Sequence, residues 1–106
     1  MQEEPGLTIL ALSGSLDSLG VEDIGSELIA EVEQADGDVL IDISEVDFIA
    51  SLGMTLLMKC TKLLARDGHQ LVMYDAQPLV DEALRFGMVN HVLKVAETLD
   101  DARAML

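Results

Sequence analysis

The stretch Leu40-Ile-Asp-Ile-Ser-Glu-Val-Asp-Phe-Ile-Ala-Ser-Leu-Gly-Met-Thr-Leu-Leu-Met58 decides how this chain folds. With Val39 before it, Val39-Leu-Ile-Asp-Ile43 is a nearly continuous apolar run of strand length, as expected of a central strand buried on both faces. A polar break, Ser44-Glu-Val-Asp47, leads to Phe48-Ile-Ala-Ser-Leu-Gly53. Apolar residues at helical spacing then predict a long helix from Leu52 to about Arg66. Asp67-Gly68 closes it, because glycine suits the left-handed position past a helix end. Strand, loop and helix in this order deliver Ser51 to a helix start. A serine there has a structural use, since its oxygen can accept from an unpaired N–H of the first turn. On position alone, that capping role is the favoured reading.

Working outward, Leu7-Thr-Ile-Leu-Ala-Leu-Ser13 is predicted as a strand and Gly14-Ser-Leu-Asp17 as its end. From Val21 to Gln34, Val21, Ile24, Leu28 and Val32 fall on one helical stripe. Glu22, Asp23, Glu27, Glu31 and Glu33 give the other side a solvated acidic face. Ala35-Asp-Gly-Asp38 is a turn, and Gln70-Leu-Val-Met-Tyr-Asp75 is a further strand. Pro78 suits the first turn of a helix that runs through Val80, Ala83, Leu84 and Phe86 to Gly87. Val92-Leu-Lys-Val-Ala96 is a short strand. Thr98 caps a last helix, Leu99 to Met105, with Asp100 and Asp101 at its positive end. The order is β-α-β-α-β-α-β-α, an α/β layered arrangement with no linker or repeat.

The 106 residues suit one domain spanning 1–106, and half of them are hydrophobic. Phe48, Tyr74 and Phe86 are the only aromatics, so the core is aliphatic. Six Lys and Arg against twenty Asp and Glu leave a formal charge of −14. That balance argues against non-specific nucleic-acid binding, which rests on neutralising phosphates, and against docking on an anionic membrane. It suits high solubility and a basic or mixed-charge protein partner. Cys60 stands alone, so neither an internal disulfide nor a thiolate metal cluster is expected. Met1-Gln-Glu-Glu-Pro5 lacks the features of a signal peptide, and no apolar run approaches the roughly 20 residues of a membrane helix. The expectation is a soluble cytoplasmic domain.

The central segment resembles the core motif of STAS domains, the family of bacterial anti-sigma factor antagonists and of the cytoplasmic tails of sulfate transporters. Asp42, Val46, Phe48 and Ile49 match the approach to the motif, Ser51 its phosphorylatable serine and Gly53 its glycine. Gly14-Ser-Leu-Asp17 matches the family's Gly-x-Leu-Asp, which carries Asp17 into the site. Leu84, Phe86, Gly87 and Val92 follow the family's late helix and last strand. Two positions depart from the pattern. Ala50 stands where an acid often precedes the serine, and Leu52 replaces a second serine, so Ser51 is the only hydroxyl at the loop apex.

The resemblance implies a single STAS-like domain with a mixed sheet of four to five strands flanked by helices. It also implies an anti-sigma factor antagonist that, with Ser51 unphosphorylated, sequesters an anti-sigma factor with serine-kinase activity. A phosphatase acting on phospho-Ser51 would reset it. Asp17, Ser51, Leu52, Gly53, Met54, Thr55, Met58 and Lys62 are the expected partner-binding residues. Along the helix, Leu52, Leu56, Leu57, Leu63 and Leu64 are expected to face the core, and Thr55, Lys59, Lys62 and Arg66 to form an outward stripe. The alternative within the family is a STAS subunit of a transporter or stress-signalling complex.

From another class comes a small enzyme or metal-binding domain using Asp17, Asp42 and Asp47, near strand ends with Asp75. A response-regulator receiver would need adjacent acids after its first strand, where Ser13-Gly-Ser-Leu-Asp17 stands, and a late lysine, for which Lys94 lacks a partner. Asp17 and Asp42 are instead expected to bond turn backbone. His69 and His91 have no ligand spacing, no nucleophile elbow or phosphate loop is present, and Cys60 reads as a small core residue. Neither an enzyme nor a cofactor is expected.

Overall fold

The computed structural model describes residues 2–4, 6–86 and 93–106, the side chains of residues 2–4, 18, 21 and 86 excepted. Strands β1 (Gln2–Glu4), β2 (Leu7–Leu16), β3 (Asp38–Ile49), β4 (Leu71–Tyr74) and β5 (Lys94–Ala96) alternate, from β2 on, with helices α1 (Ser18–Gln34), α2 (Ser51–Ala65), α3 (Pro78–Phe86) and α4 (Leu99–Ala104). The five strands lie side by side in chain order. β2 to β5 are parallel and β1 is antiparallel to β2, so the sheet is mixed.

A sheet that grows one strand at a time through right-handed crossovers puts every crossover helix on the same face. Accordingly, Leu28 and Val32 of α1, Leu57, Cys60 and Leu64 of α2, and Val80 and Leu84 of α3 share one core with Val39, Ile41 and Ile43. The opposite face carries Ile9, Leu40, Val72, Tyr74 and Ala96, covered by Ala102 of α4. Val39, Leu40 and Ile41 are each fully buried, as the continuous apolar run predicts for a strand covered on both sides.

Three features depart from the sequence expectation. β1 pairs Gln2, Glu3 and Glu4 with Ile9, Thr8 and Leu7, after Gly6 reverses the chain at φ 76°. β2 does not stop at Ser13, nor β3 at Ile43. Both continue as partners to the Leu16–Ile49 pair, with register shifts between Ala11 and Ser13 and between Gly14 and Ser15. From the Ala11–Asp42 pair to the Leu16–Ile49 pair, β2 advances five residues and β3 seven, so β3 carries two bulges. Gly14 adopts φ 83° at the second shift, a conformation that glycine takes without steric penalty. Each bulge displaces the inward-facing positions by one. The core therefore receives Val39, Ile41 and Ile43, then Val46, then Ile49.

The helices begin and end close to the predicted limits. α1 starts three residues earlier than Val21, and α2 starts at Ser51 itself. Pro78 opens α3, and Thr98 caps α4 by accepting from Asp101 N–H at 3.1 Å. Gly87, His91 and Val92, and the side chains of Val21 and Phe86, lie outside the described residues.

Candidate functional site: the paired helix starts at the end of β2 and β3

β2 and β3 end together, and each feeds a helix within two residues. Ala50 N–H donates to the Leu16 carbonyl at 3.0 Å, which ties the entry of α2 to the end of β2. Asp17 follows directly and caps α1, its carboxylate accepting from Gly20 N–H at 2.9 Å. The starts of α1 and α2 are thus held side by side, and Asp17 lies beside the segment that carries Ser51.

Gly53 permits this closeness. A Cβ there would stand 2.5 Å from the Leu16 carbonyl oxygen, 2.7 Å from Leu16 Cβ and 3.1 Å from Ile49 Cγ1. Any side chain would push the first turn of α2 away from β2.

Ser51 does not cap its helix. Ala50 occupies the cap position at φ −110° and ψ 176°, and no side chain bonds the first-turn amides. Ser51 is the first helical residue, and it is exposed. The capping expectation fails because the chain turns helical one residue sooner than Leu52, which moves the hydroxyl past the position from which it could reach back to those amides. Its carbonyl accepts from Thr55 Oγ1 at 2.9 Å, which stacks the exposed Thr55 one turn below.

Leu52 is also corrected. It is 53% exposed, while Gly53, Leu56, Leu57, Cys60 and Leu64 form the buried stripe of α2. The first turn of the helix projects past the sheet, and Leu52 points off that stripe. Met54, Met58 and Leu63 are half-buried at the margin of the core, whereas Lys59, Lys62 and Arg66 are exposed.

Around Ser51 stand other apolar groups that the sequence did not mark as surface. Leu19 in the first turn of α1 is 70% exposed, and Phe48 near the end of β3 is 53% exposed. Leu79, in the first turn of α3 at the same end of the sheet, is 75% exposed. Gln77 Nε2 donates to the Ser44 carbonyl at 2.9 Å and ties that helix start to the bulged part of β3. Leu19 had one sequence signal, its place off the Ile24, Leu28 and Val32 stripe.

The aspartates near the strand ends are engaged separately. Asp42 accepts from Ser44 N–H at 2.9 Å, and Asp47 from Ser15 Oγ at 2.9 Å. Asp17 and Asp42 both bond backbone, as expected, but Asp17 meets the first turn of α1 and Asp42 the bulged part of β3 where turns were expected. Among the described residues no three His, Cys, Asp or Glu side chains gather to hold a metal. Burial pushes the Cys60 thiol up to about 11, with Lys59 opposing, so it stays protonated and unreactive at neutral pH. No described helix is long and apolar enough to cross a membrane.

This end of the sheet offers an exposed hydroxyl on a free helix start, framed by apolar side chains. It presents a surface rather than a cavity for a substrate. The profile of the STAS domain family matches residues 1–102. The chain belongs to the STAS domain family. Over 104 residues it is 27% identical to the "Putative anti-sigma factor antagonist BtrV" of Bordetella bronchiseptica, covering 98% of this chain and 90% of that one. A solved STAS domain protein from Planctomyces limnophilus, described as an anti-sigma-factor antagonist, is 27% identical with a TM-score of 0.75, covering 87% of this chain and 80% of that one. The unphosphorylated anti-sigma factor antagonist SpoIIAA superposes with a TM-score of 0.76 over 99% of this chain and 91% of its own, at 18% identity, a likeness of fold.

Proposed function

We propose that this STAS domain is an anti-sigma factor antagonist whose binding is gated by phosphorylation of Ser51. The observation that carries the reading is the exposed, uncapped Ser51 at the first position of α2, beside exposed Leu52 and the Asp17-capped start of α1. The names of the relatives support it.

In its unmodified form the domain docks an anti-sigma factor over this end of the sheet. Leu19, Phe48 and Leu52 supply apolar contact, and Met54 and Met58 supply adaptable contact at its edge. The docked protein is also a serine kinase. Ser51 Oγ attacks the γ-phosphorus of ATP, the bond from that phosphorus to the bridging oxygen breaks, ADP departs, and the hydroxyl proton passes to a base of the kinase. A phosphatase returns the serine and inorganic phosphate. The domain is the substrate of these steps and not their catalyst.

The phosphate brings about −1.5 to −2 charges and three acceptor oxygens. At a helix start it meets free N–H groups and the positive end of the dipole, worth roughly 0.3–1 kcal/mol, so the fold accepts it. At a docked surface the sign reverses. One like-charge pair at about 4 Å, with an effective dielectric near 20, costs on the order of 4 kcal/mol. That is roughly a thousandfold in affinity, enough to release the partner without a conformational change.

The test uses wild-type, Ser51→Ala and Ser51→Asp baits in host lysate, followed by calorimetry on the purified partner. A kinase-type anti-sigma factor held by the first two and lost from the third is the expected result. Equal binding by Ser51→Asp overturns the reading.

A further inference from the structure

The outward stripe of α2 continues well past Ser51. Ser51, Thr55, Lys59, Lys62 and Arg66 follow one another at spacings of four, four, three and four, a single face of the helix. All five are exposed. Thr55, Met58, Lys59, Lys62, Leu63 and Arg66 line a shallow groove of about 370 Å³, whose floor is the half-buried Met58 and Leu63.

The charge of this groove is out of keeping with the chain. Three of the six cationic residues stand here in a molecule with twenty carboxylates. Yet Lys59, Lys62 and Arg66 make no ion pair among the described residues. The neighbouring α1 turns Glu22, Asp23 and Glu27 out to solvent. Glu33 of α1 and Asp67 line a recess with Leu63 and Arg66 at the far end of the groove, and Lys59 and Lys62 stand exposed to anything that docks.

We propose that this groove seats an acidic amphipathic helix of the protein that Ser51 regulates, an inference that rests on Ser51 being the gate. Thr55 to Arg66 spans about 16 Å, the length of roughly three helical turns. Apolar side chains of such a helix would lie on Met58 and Leu63, with its carboxylates facing Lys59, Lys62 and Arg66. A basic partner would set like charges together along the whole stripe. A neutral one would strip water from three cations without compensation.

The same assignment explains the sign of the switch. A phosphate on Ser51 repels by like charge a partner that is anionic there, and an acidic helix laid along this stripe is. Lys59 is two turns from Ser51, about 12 Å along the axis, too far to neutralise the phosphate directly. The stripe therefore attracts an acidic partner at one end and, once Ser51 is modified, repels it at the other.

The test titrates the isotopically labelled full chain with two synthetic amphipathic peptides of about four helical turns. One carries Glu around a Leu face, and the other carries Lys in place of every Glu. Amide shifts read the contact. The Glu peptide is expected to move the amides from Thr55 to Arg66, and the Lys peptide to leave them in place. Lys59→Glu/Lys62→Glu/Arg66→Glu is expected to weaken the Glu peptide by roughly tenfold or more, three surface pairs compounding. Raising salt from about 50 to about 500 mM should weaken the wild-type contact and, by screening the introduced repulsion, strengthen what contact that variant retains. Lys59→Gln/Lys62→Gln/Arg66→Gln, checked for an unchanged melt, is expected to give a smaller loss in the same direction, since it removes the attraction without introducing repulsion. Unmoved α2 amides with the Glu peptide, or equal shifts with the Lys peptide, overturn the groove. Should the lysate experiment still separate Ser51→Asp from wild type, the groove alone has failed. A groove that maps as expected, with a Glu peptide indifferent to Ser51→Asp, refutes the gate instead.

Discussion

Replacing Gly53 by alanine tests the geometry that brings the site together. A new Cβ would meet the Leu16 carbonyl oxygen at 2.5 Å and Leu16 Cβ at 2.7 Å. Ordinary contact lies near 3.5 Å, so about 1 Å must be opened between the first turn of α2 and the end of β2. The Leu16 oxygen is backbone and is held by Ala50 N–H at 3.0 Å, so it cannot swing aside. Overpacking of this kind costs typically about 1–3 kcal/mol. Against it, alanine in a helix gains up to about 1 kcal/mol over glycine. The net expectation is a loss of about 1–2 kcal/mol, which in a domain of this size lowers Tm by roughly 4–8 °C. Thermal melts followed by circular dichroism read it, with urea titration as a second measure. An unchanged or raised Tm would mean that only helix propensity is at work, and the close approach of α2 to β2 would be wrong. Because the shift would separate Ser51 from the start of α1, partner affinity should fall in the same variant although Ser51 is intact.

Two further outcomes follow from named contacts. Asp17→Ala removes the α1 cap, and the expected loss is about 0.5–2 kcal/mol in urea unfolding; Asp17→Asn, which keeps an acceptor, should recover most of it. Tyr74 is the only tyrosine, so ultraviolet absorbance reports its ionisation alone. Burial first, then the carboxylates of Asp42 and Asp75, raise its pKa above the usual value near 10, while Arg103 pulls it down. The neutral phenol is thus favoured in the folded chain, and the stability this gives is present below pH 10 and declines as pH rises through the folded midpoint. Asp42→Asn should lower that midpoint, and a midpoint at or below 10 in wild type would contradict the placement.

The parts of the fold that were legible in the sequence are those where one physical signal dominates. Val39 to Ile43 had to be largely interior because four of its five residues are apolar and they fall on both faces of the strand. The buried stripe of α2 followed from its spacing, and the cap of α4 from Thr98. The rest of β3 was hidden because its inward residues after Ile43 come at Val46 and Ile49, steps of three that no strand alternation predicts. β1 was hidden for another reason. Gln2, Glu3 and Glu4 carry no apolar pattern, and the strand exists through backbone pairing with Leu7 to Ile9.

At the site, the order of strand, loop and helix put Ser51 at the start of α2 and Gly53 in its first turn, where the structure has them, but periodicity misplaced Leu52. Leucines at 52, 56 and 63 lie near one helical line, but the buried stripe runs through Gly53, Leu57, Cys60 and Leu64 and leaves Leu52 and Leu63 at its flank. Leu19 and Leu79 were missed because an apolar residue in a first turn looks, in sequence, like one more contribution to the core.

The paired bulges in β3 make its length a fixed quantity where its composition is not. Removing one residue between Ile43 and Ile49 would leave a single bulge and adding one would make three; either change would turn Ile49 toward water, swing Phe48 inward and bring the serine out on the wrong side. Substitutions at exposed Glu45 and Asp47 leave that count untouched. Anyone re-engineering the segment, or following its drift over generations, should find spelling changes common and frame changes absent.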